Sequence, residues 1–379
     1  MASHGKIPRA PAAGPDSKIF SSPGARLLGT FYNLTRPLLF ALDAEAAHHL
    51  TIGGLRAASA LGLDGLLGPR AGDAAGGGGL AVEAMGLRFP NPVGLAAGLD
   101  KNGVAVDGFG AMGFGFVEIG TLTPRPQPGN PKPRLFRLPA RQAIINRMGF
   151  NNVGIAKGVE NARHRNFEGV LGINIGKNFD TPNSRAIDDY LSGLQVAFPV
   201  ADYVAVNLSS PNTKGLRDLQ ETDAFRALFH RLKDEQARLR RSSPTGRYVP
   251  IAIKLAPDLA DDHARALAAV IRELEIDAVI ATNTTIDHST VLDLPHSDEA
   301  GGLSGAPLRE RSTALVRLLA GELAGTGIPV IGVGGIVDAE GALEKLAAGA
   351  TLVQLYSGLI YRGPALVHEI LASLRQRCD

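Results

Sequence analysis

Two short stretches carry side chains that could do chemistry at points where the surrounding residues predict a buried strand. Residues 206–215, VNLSSPNTKG, turn from apolar residues into two serines and two asparagines around a proline. Either serine could accept a proton from a ligand, although one serine at a strand end is often only a helix cap. Lys254, in IAIKLAP, interrupts an apolar segment, and a lysine buried there needs an anion or a developing negative charge beside it. A Schiff base on Lys254 is the alternative chemistry.

The elements that would position these residues are eight apolar runs that alternate with helical patterns. The runs cover residues 92–98, 115–123, 171–178, 203–210, 250–257, 278–285, 329–336 and 351–358. Continuous apolar strands between helices are typical of a parallel sheet that is buried on both faces. Eight such units predict an α/β fold, a (β/α)8 TIM barrel, and the lack of GxGxxG after the first strand disfavours a Rossmann domain.

Polar residues at the carboxyl ends of these runs mark the side of a barrel on which active sites lie. They are Lys101, Thr121, Asn174, Asn207, Ser210, Asn212, Lys254, Thr282, Asn283, Tyr356 and Ser357. Such groups suit a flat ligand rich in heteroatoms, and no residues with metal-ligand spacing accompany them. The small residues of GVGGI and YSG predict a phosphate site at the last two strands, whereas tight turns are the alternative explanation for those glycines.

Two connections at this end are longer than plain crossovers. Residues 124–150 predict a hairpin over the barrel mouth, and residues 286–305 form a second excursion. Long ordered loops in this position usually act as functional lids.

The residues before the barrel predict a separate unit. We expect a disordered arm over residues 1–23, a helical unit over 24–71, a glycine-rich tether over 72–79 and the barrel over 80–379. Two helices, residues 24–42 and 43–62, are predicted in this unit, the second capped by Asp43. Because two short helices cannot bury a core alone, they either pack on the barrel or meet a membrane surface.

The composition excludes several classes of protein. Of the 379 residues, 45% are hydrophobic and 20% are charged, as in globular proteins with a sizeable core. The net charge is +2, and no cluster of lysines and arginines alternates with aromatic residues. No nucleic-acid partner is therefore predicted. The single cysteine, Cys378, excludes disulfides within the chain and thiolate metal sites. The sequence contains no run of 18 apolar residues, so no membrane span is predicted.

Six motifs, in this order along the chain, resemble those of the dihydroorotate dehydrogenase family: AGLDKNG, NRMGFNN, NLSSPNT, ATNTT, GGLSG and GVGGI. The resemblance runs from about Phe31 to Leu374 and leaves out the arm and the tether. The helical pair, and a serine where the soluble class carries a cysteine, resemble the membrane-associated, quinone-reducing class 2. The resemblance implies an oxidoreductase acting on a CH–CH group, which oxidises (S)-dihydroorotate to orotate in de novo UMP and pyrimidine biosynthesis.

The resemblance also implies one flavin mononucleotide (FMN) per chain at the barrel mouth, and no metal. The implied flavin-binding residues are Ala97, Gly98, Lys101, Thr121, Asn174, Asn207, Lys254, Thr282 and Gly305, with Gly334, Gly335, Tyr356 and Ser357 around the phosphate. Lys254 would stabilise the negative charge of the reduced ring.

Dihydroorotate and orotate are the implied ligands next to the flavin. Their implied contacts are Lys101, Asn146, Arg147, Met148, Gly149, Phe150, Asn207, Asn212, Asn283 and Thr284. The base of the family is the second serine of the pair, which implies Ser210 here, with Thr213 and an ordered water as its proton relay. Phe150 would close over this serine and exclude bulk solvent.

A membrane quinone is the implied second substrate, in a channel between the N-terminal helices and the barrel. Its implied contacts are Arg137, Tyr356 and His48, and a partly buried helix histidine is the alternative reading of His48. Gly53 and Gly54 lie where a helix lining such a channel would carry bulk, and each weakens that helix by about 1 kcal/mol. The helices imply peripheral contact with the cytoplasmic face of the cell (inner) membrane, or alternatively with the mitochondrial inner membrane.

Three other functions compete with this interpretation. A Schiff-base aldolase acting through Lys254 would be colourless and trapped by borohydride. A tRNA-dihydrouridine synthase shares the barrel and the flavin, but it would need a catalytic cysteine and a basic RNA-binding surface. A phosphate-ligand binder without activity would not need Ser210 and Lys254 together.

Overall fold

The computed structural model describes residues 23–63 and 79–378. Its strands, in chain order, are β1 (Val82–Ala84), β2 (Leu87–Phe89), β3 (Val93–Leu95), β4 (Phe116–Leu122), β5 (Leu135–Leu138), β6 (Ala143–Asn146), β7 (Val170–Ile175), β8 (Tyr203–Asn207), β9 (Ile251–Leu255), β10 (Ala278–Ala281), β11 (Gly302–Gly305), β12 (Val330–Val333) and β13 (Leu352–Leu355). Its helices are α1 (Pro23–Ala41), α2 (Ala44–Ala60), α3 (Val106–Gly110), α4 (Ile155–Arg163), α5 (Ala186–Ala197), α6 (Thr222–Ser242), α7 (Asp261–Glu273), α8 (Arg309–Glu322), α9 (Ala339–Ala347), α10 (Ser357–Arg362) and α11 (Ala365–Cys378).

A closed parallel barrel forms the centre of the molecule. Its strands follow one another as β3, β4, β7, β8, β9, β10, β12 and β13, and β13 pairs back with β3. Strands such as β9 bury every residue because barrel side chains cover one face and helices cover the other. The predicted (β/α)8 barrel is therefore confirmed. Each strand ends before its predicted run does, because the residues that follow leave the ladder and surround the barrel mouth.

The amino end of the barrel is closed by the antiparallel hairpin of β1 and β2. Phe89 at the end of this hairpin is fully buried and meets the Phe116 ring edge to face, with the ring centroids 5.2 Å apart. Among the described residues, this packing fills the amino end of the barrel, whereas the carboxyl end borders a cavity.

A three-stranded antiparallel sheet lies at that carboxyl end and is called the roof sheet below. The predicted hairpin of residues 124–150 supplies β5 and β6, and the second excursion supplies β11, which pairs with β6. The two long connections are thus parts of one ordered element.

The two predicted N-terminal helices are present as α1 and α2. Asp43 caps α2 as predicted, accepting hydrogen bonds from the backbone N–H groups of Glu45 at 3.0 Å and Ala46 at 2.9 Å. Helix α1 begins at Pro23, which had been assigned to the arm. Residues 1–22 of the arm, and residues 64–78 with nearly all of the tether, lie outside the described residues.

Both helices pack on the barrel. The Tyr32 hydroxyl and the Arg36 guanidinium, one turn apart on α1, donate hydrogen bonds to the carbonyls of Ile360 and Tyr361 in α10. Leu55 of α2 is buried against Gly108 of α3. Within residues 23–63 and 79–378, no helix combines the length and the apolar character that crossing a membrane requires.

The paired glycines of α2 lie on an open side of that helix. The helix continues through Gly53 and Gly54. Apart from the chain neighbours and the backbone of the helix itself, a Cβ atom added at either position would meet no atom of the described residues within 4 Å. The structure therefore provides free space, rather than a close helix contact, at the place where the sequence lacks side chains.

A buried ion pair joins α2 to the roof sheet. Arg134, directly before β5, donates two hydrogen bonds to the Glu45 carboxylate, at 2.7 and 3.1 Å, and both side chains are less than 8% exposed. The same guanidinium donates to the carbonyls of Pro128 and Asn130, each at 2.7 Å. Asn130 in turn donates to the carbonyl of Arg147 at 2.9 Å. One charge pair thus links the N-terminal unit to the loop after β6.

Candidate active site

One cavity of about 950 Å³, open to solvent on one side, lies at the carboxyl end of the barrel beside the roof sheet. Of the residues predicted to bind the cofactor or the substrate, those that line it are Ala97, Gly98, Lys101, Thr121, Asn146, Met148, Gly149, Phe150, Asn207, Ser210, Asn212, Lys254, Thr282, Asn283, Thr284, Gly305, Gly334, Gly335, Tyr356 and Ser357. The fold therefore brings most of the predicted site to one place.

Side-chain amides and a hydroxyl form a connected network across the cavity floor. Thr121 donates to Asn174 Oδ1 at 2.6 Å and accepts from Asn207 Nδ2 at 3.0 Å. Asn283 Nδ2 then donates to Asn207 Oδ1 at 3.3 Å. Because these residues come from different strands, the network holds them in place before a ligand arrives. Asn174 lies one layer below the floor and does not line the cavity.

The two serines of the opening motif have different surroundings. Ser209 is fully buried outside the cavity lining, where its hydroxyl donates to Asn207 at 3.1 Å and accepts from Asn283 at 3.0 Å. Ser210 lines the cavity, and its oxygen accepts a hydrogen bond from the backbone N–H of Asn212 at 3.2 Å. The Ser210 hydroxyl hydrogen has no acceptor among the described residues. Ser210 is therefore the serine that can act on a ligand.

Two lysines reach the cavity without an acceptor for their hydrogens. Neither Lys101 nor Lys254 donates a hydrogen bond to any described residue. Burial lowers the pKa of Lys101 to about 8, with a smaller contribution from the charge of Arg134. Burial also lowers the pKa of Lys254, whereas the nearby Glu118 raises it. A ligand with a carboxylate or another anionic group would satisfy both ammonium groups.

Three polar residues of the site were missed by the sequence reasoning. Ser304 and Gln354 line the cavity, and Glu118 lies below it, 4.0 Å from Lys254. The signal for Glu118 was present, because a lone carboxylate in GFVEIG interrupts an apolar strand in the same way as Lys254 does.

Backbone turns at β11, β12 and β13 shape one end of the cavity. Gly335 has a φ of +75°, and a Cβ atom there would come within 2.2 Å of the Arg309 backbone. Only glycine permits this approach, so the chain passes close to the first turn of α8. The hydroxyls of Ser304 and Ser357 lie 2.8 Å apart at the same end. These loops supply small side chains and hydroxyl groups where a phosphate was predicted.

The NRMGF segment after β6 divides between the cavity and the outer surface. Asn146, Met148, Gly149 and Phe150 line the cavity, but Arg147 does not. The Arg147 guanidinium donates to Glu299 at 2.6 Å and lies over the Phe136 ring, 4.7 Å from its centroid. Arg147 follows the last residue of β6, and its side chain is held on the outer side by Glu299 and the Phe136 ring.

One further predicted residue lies outside the lining. Thr213 is buried near the Ser210 loop but does not line the cavity, and its role in a proton relay stays a prediction. Among the described residues, no three His, Cys, Asp or Glu side chains are grouped closely enough to hold a metal ion.

Arg137 of β5, predicted to contact a quinone, points to the N-terminal helices. It donates hydrogen bonds to the carbonyls of Leu39, at 3.1 Å, and Leu42. Its guanidinium lies over the Phe40 ring, 4.7 Å from the ring centroid. Burial lowers the pKa of Arg137. Arg137 therefore lies between the helices and the barrel, where the channel was predicted.

The other two quinone-contact predictions occupy separate positions. Burial raises the pKa of Tyr356 to about 12, and this side chain lines the cavity. His48 is partly buried on α2, and burial, followed by the charge of Lys101, lowers its pKa to about 4. The His48 imidazole is thus neutral at pH 7. Within the described residues no hydrogen bond joins His48, Arg137 and Tyr356 to one another.

The chain is similar to several known proteins. Residues 79–378 match the model of the dihydroorotate dehydrogenase family. The chain is 57% identical over 338 residues to the dihydroorotate dehydrogenase (quinone) of Pseudomonas syringae pv. tomato, covering 89% of this chain and 96% of the relative. It is 58% identical over 345 residues to that of Thiobacillus denitrificans, covering 91% and 99%. The crystal structure of Eimeria tenella DHODH in complex with ferulenol superposes with a TM-score of 0.74 at 42% identity, covering 79% of this chain and 84% of that one. The chain belongs to the dihydroorotate dehydrogenase family.

Proposed function

We propose that this chain is a class 2, quinone-dependent dihydroorotate dehydrogenase, which oxidises dihydroorotate to orotate in pyrimidine biosynthesis and passes the electrons to a quinone. The observation that carries the proposal is the convergence of Ser210, two lysines without acceptors and a network of amides on one cavity.

FMN, one per chain, is the cofactor that we propose for this cavity. The ammonium group of Lys254 has no hydrogen-bond acceptor among the described residues, so a ring oxygen or nitrogen could take that place. Gly334, Gly335 and Ser357 line the cavity with small side chains, so backbone N–H groups there could approach a phosphate. When bound, FMN supplies a hydride acceptor, which none of the twenty amino-acid side chains can. The proposed contacts are Ala97, Gly98, Lys101, Thr121, Asn207, Lys254, Thr282, Gly305, Gly334, Gly335, Tyr356 and Ser357. Asn174, which does not line the cavity, would act through its hydrogen bond with Thr121.

Dihydroorotate fits the remaining polar groups. A carboxylate next to Lys101 would favour the charged ammonium, whose pKa burial lowers to about 8. The amides of Asn146, Asn212 and Asn283 offer both donors and acceptors, which the imide part of the ring requires. We assign Asn207, Thr284 and the backbone of residues 146–150 to the same ligand.

Ser210 is the proposed base. It would take a proton from one ring carbon of dihydroorotate and release its own hydroxyl proton, while a hydride leaves the neighbouring carbon for the proposed flavin, so that a C=C bond forms in the ring. A serine hydroxyl is a weak base, and it needs stabilisation while it exchanges protons. The backbone N–H of Asn212, 3.2 Å from Ser210 Oγ, can donate to the oxygen as its negative charge develops. We propose that Thr213, with an ordered water, carries the proton away.

Phe150 would keep bulk water out of this step. The ring is 9% exposed and lines the cavity, with Gly176 directly behind it. Exclusion of water strengthens the hydrogen bonds around Ser210.

The proposal is tested by recording the visible spectrum of the purified protein before and after adding dihydroorotate. The purified protein should be yellow, and its flavin absorbance should be bleached by dihydroorotate without oxygen and restored by a quinone. A colourless protein that borohydride traps with a carbonyl substrate would instead indicate a Schiff base on Lys254. A yellow protein that dihydroorotate fails to bleach would reject the substrate and retain the cofactor.

We propose that quinone enters between the N-terminal helices and the barrel, near Arg137, His48 and Tyr356. Arg137 contacts the turn between α1 and α2, and Tyr356 borders the cavity, so the two side chains bracket this route.

The outer faces of the same helices are proposed to lie on a membrane surface. Leu34 and Leu38 of α1 are each 72% exposed and one turn apart, on the side away from Tyr32 and Arg36. Exposed leucines at this spacing suit the interface of a bilayer. Because the relatives named above include bacterial proteins, we favour the cytoplasmic face of the cell membrane over the mitochondrial inner membrane.

Replacing both Leu34 and Leu38 with glutamate should weaken vesicle binding by about tenfold or more, because two leucines no longer transfer into lipid. Co-sedimentation with phospholipid vesicles measures this. The matched control carries glutamate at Ile286 and Leu292, which are 61% and 70% exposed on the barrel. Equal losses in both variants would remove α1 as the membrane contact.

A further inference from the structure

A carboxylate inside the barrel has no role in the function proposed so far. Glu118 of β4 is fully buried and points into the barrel. Its Oε1 atom accepts a hydrogen bond from Asn174 Nδ2 at 2.8 Å. Its Oε2 atom accepts from the Tyr203 hydroxyl at 2.7 Å and from Gln354 Nε2 at 2.8 Å. Such a set of donors stabilises a negatively charged carboxylate.

Lys254 lies between this carboxylate and the cavity. Its Nζ atom is 4.0 Å from Glu118 Oε1, and Lys254 lines the cavity while Glu118 does not. Tyr203, the other titratable group of the network, stays neutral because burial and Glu118 raise its pKa. Glu118 is therefore the only charged group among the described residues within ion-pair distance of Lys254.

Two charges in so buried a place interact strongly, because little water screens them. A positive Lys254 alone would favour negative charge on any ligand above it. A carboxylate 4.0 Å away opposes that preference and at the same time favours the charged form of the lysine.

We propose that Glu118 is a positioning residue for Lys254. Its carboxylate holds the ammonium group beneath the cavity and offsets part of the charge. It thereby limits how strongly the site favours the more negative, reduced state of a bound flavin. This inference rests on the proposed function, because it concerns the proposed FMN.

The test is the two-electron reduction potential of FMN in Glu118→Gln holoprotein, measured by dye-coupled titration at low pH, where Lys254 is charged. Removing the carboxylate should favour reduction about tenfold or more, a rise of about 30 mV. The difference in reduction potential between the variant and the unmodified protein should shrink as the pH rises. Without Glu118, Lys254 loses its proton at a lower pH than it does in the unmodified protein.

Two control variants separate charge from structure. Tyr203→Phe removes one hydrogen bond from the same carboxylate and leaves its charge, so it should lower the melting temperature with little change in potential. In a Lys254→Met background, Glu118→Gln should shift the potential much less than it does alone. A shift no larger than that of Tyr203→Phe, or one that persists without Lys254, would overturn the proposal.

A second measurement needs no flavin. In protein stripped of cofactor, the ¹⁵Nζ resonance of Lys254 should titrate at lower pH in Glu118→Gln than in the unmodified chain. If the protein binds no FMN at all, the proposed function fails, and this titration still decides whether Glu118 controls Lys254. Identical titrations in the two proteins would reject the pairing.

Discussion

Ser210→Ala should reduce the rate at which dihydroorotate bleaches the flavin by about 10²- to 10⁴-fold, the usual contribution of a positioned base. The protein should remain yellow, because Ser210 is one of many residues that line the cavity, and most of the proposed flavin contacts are unchanged. The rate is measured by anaerobic stopped-flow absorbance. Orotate affinity, measured by its perturbation of the flavin spectrum, should change far less than the rate.

Ser210→Cys provides the matched chemical control. A thiol has a reference pKa of about 8.5 and can still accept a proton as a thiolate. The cysteine variant should therefore recover part of the lost rate, and the recovery should increase as the pH rises toward that value. An alanine variant with near-normal reduction, or a cysteine variant no better than alanine, would remove Ser210 as the base.

Arg134→Met should lower the free energy of unfolding by about 3 kcal/mol, at the low end of what breaking a buried ion pair costs. The change leaves the Glu45 carboxylate, whose side chain is 4% exposed, with only Lys132 and His49, each at 3.5 Å. Urea denaturation measures the loss. The matched control is Arg125→Met, because Arg125 and Asp180 pair at 2.6 Å on the surface and such pairs contribute at most about 1 kcal/mol.

The same ion pair makes a signed prediction about acid. Burial raises the pKa of Glu45, but the hydrogen bond and the charge of Arg134, together with Lys132, lower it by a larger amount. The pKa of Glu45 therefore falls from 4.5 to about 2. The contribution of the ionised Glu45 to the free energy of unfolding is fully present above pH 4.5 and is lost as the pH falls toward 2. The Glu45→Gln variant has no carboxyl group to titrate at this position. Between pH 7 and pH 3 its free energy of unfolding should therefore fall by about 2 kcal/mol less than that of the unmodified chain. Parallel losses in both proteins would contradict this assignment.

The barrel and the mouth of the site could be predicted from the sequence because both depend on local patterns. Apolar runs between helical segments identify barrel strands, and the residue at the end of such a run must face the mouth. For this reason Thr121, Asn207 and Lys254 were placed correctly without coordinates. Ser210 could be separated from Ser209 only by the resemblance, and the structure adds the hydrogen bonds that distinguish them.

What could not be predicted depends on which residues meet across the barrel. Glu118 and Lys254 are on β4 and β9, and their approach requires the register of the intervening strands β7 and β8. The outward direction of Arg147 depends on the pairing of the roof sheet. The ion pair between Glu45 and Arg134 is equally non-local, because it joins residues that are 89 positions apart.

The pairing of β6 with β11 has a consequence for biosynthesis of the chain. Asn146 is paired with Gly302, 156 positions later, so the roof sheet closes a long loop at the site. Closing a long loop costs entropy that only later contacts can repay, and such pairings form late. During translation, six of the eight barrel strands leave the ribosome before β11 does. A nascent chain can therefore assemble much of its barrel while the pocket still lacks a wall, and substrate capture must await nearly complete synthesis.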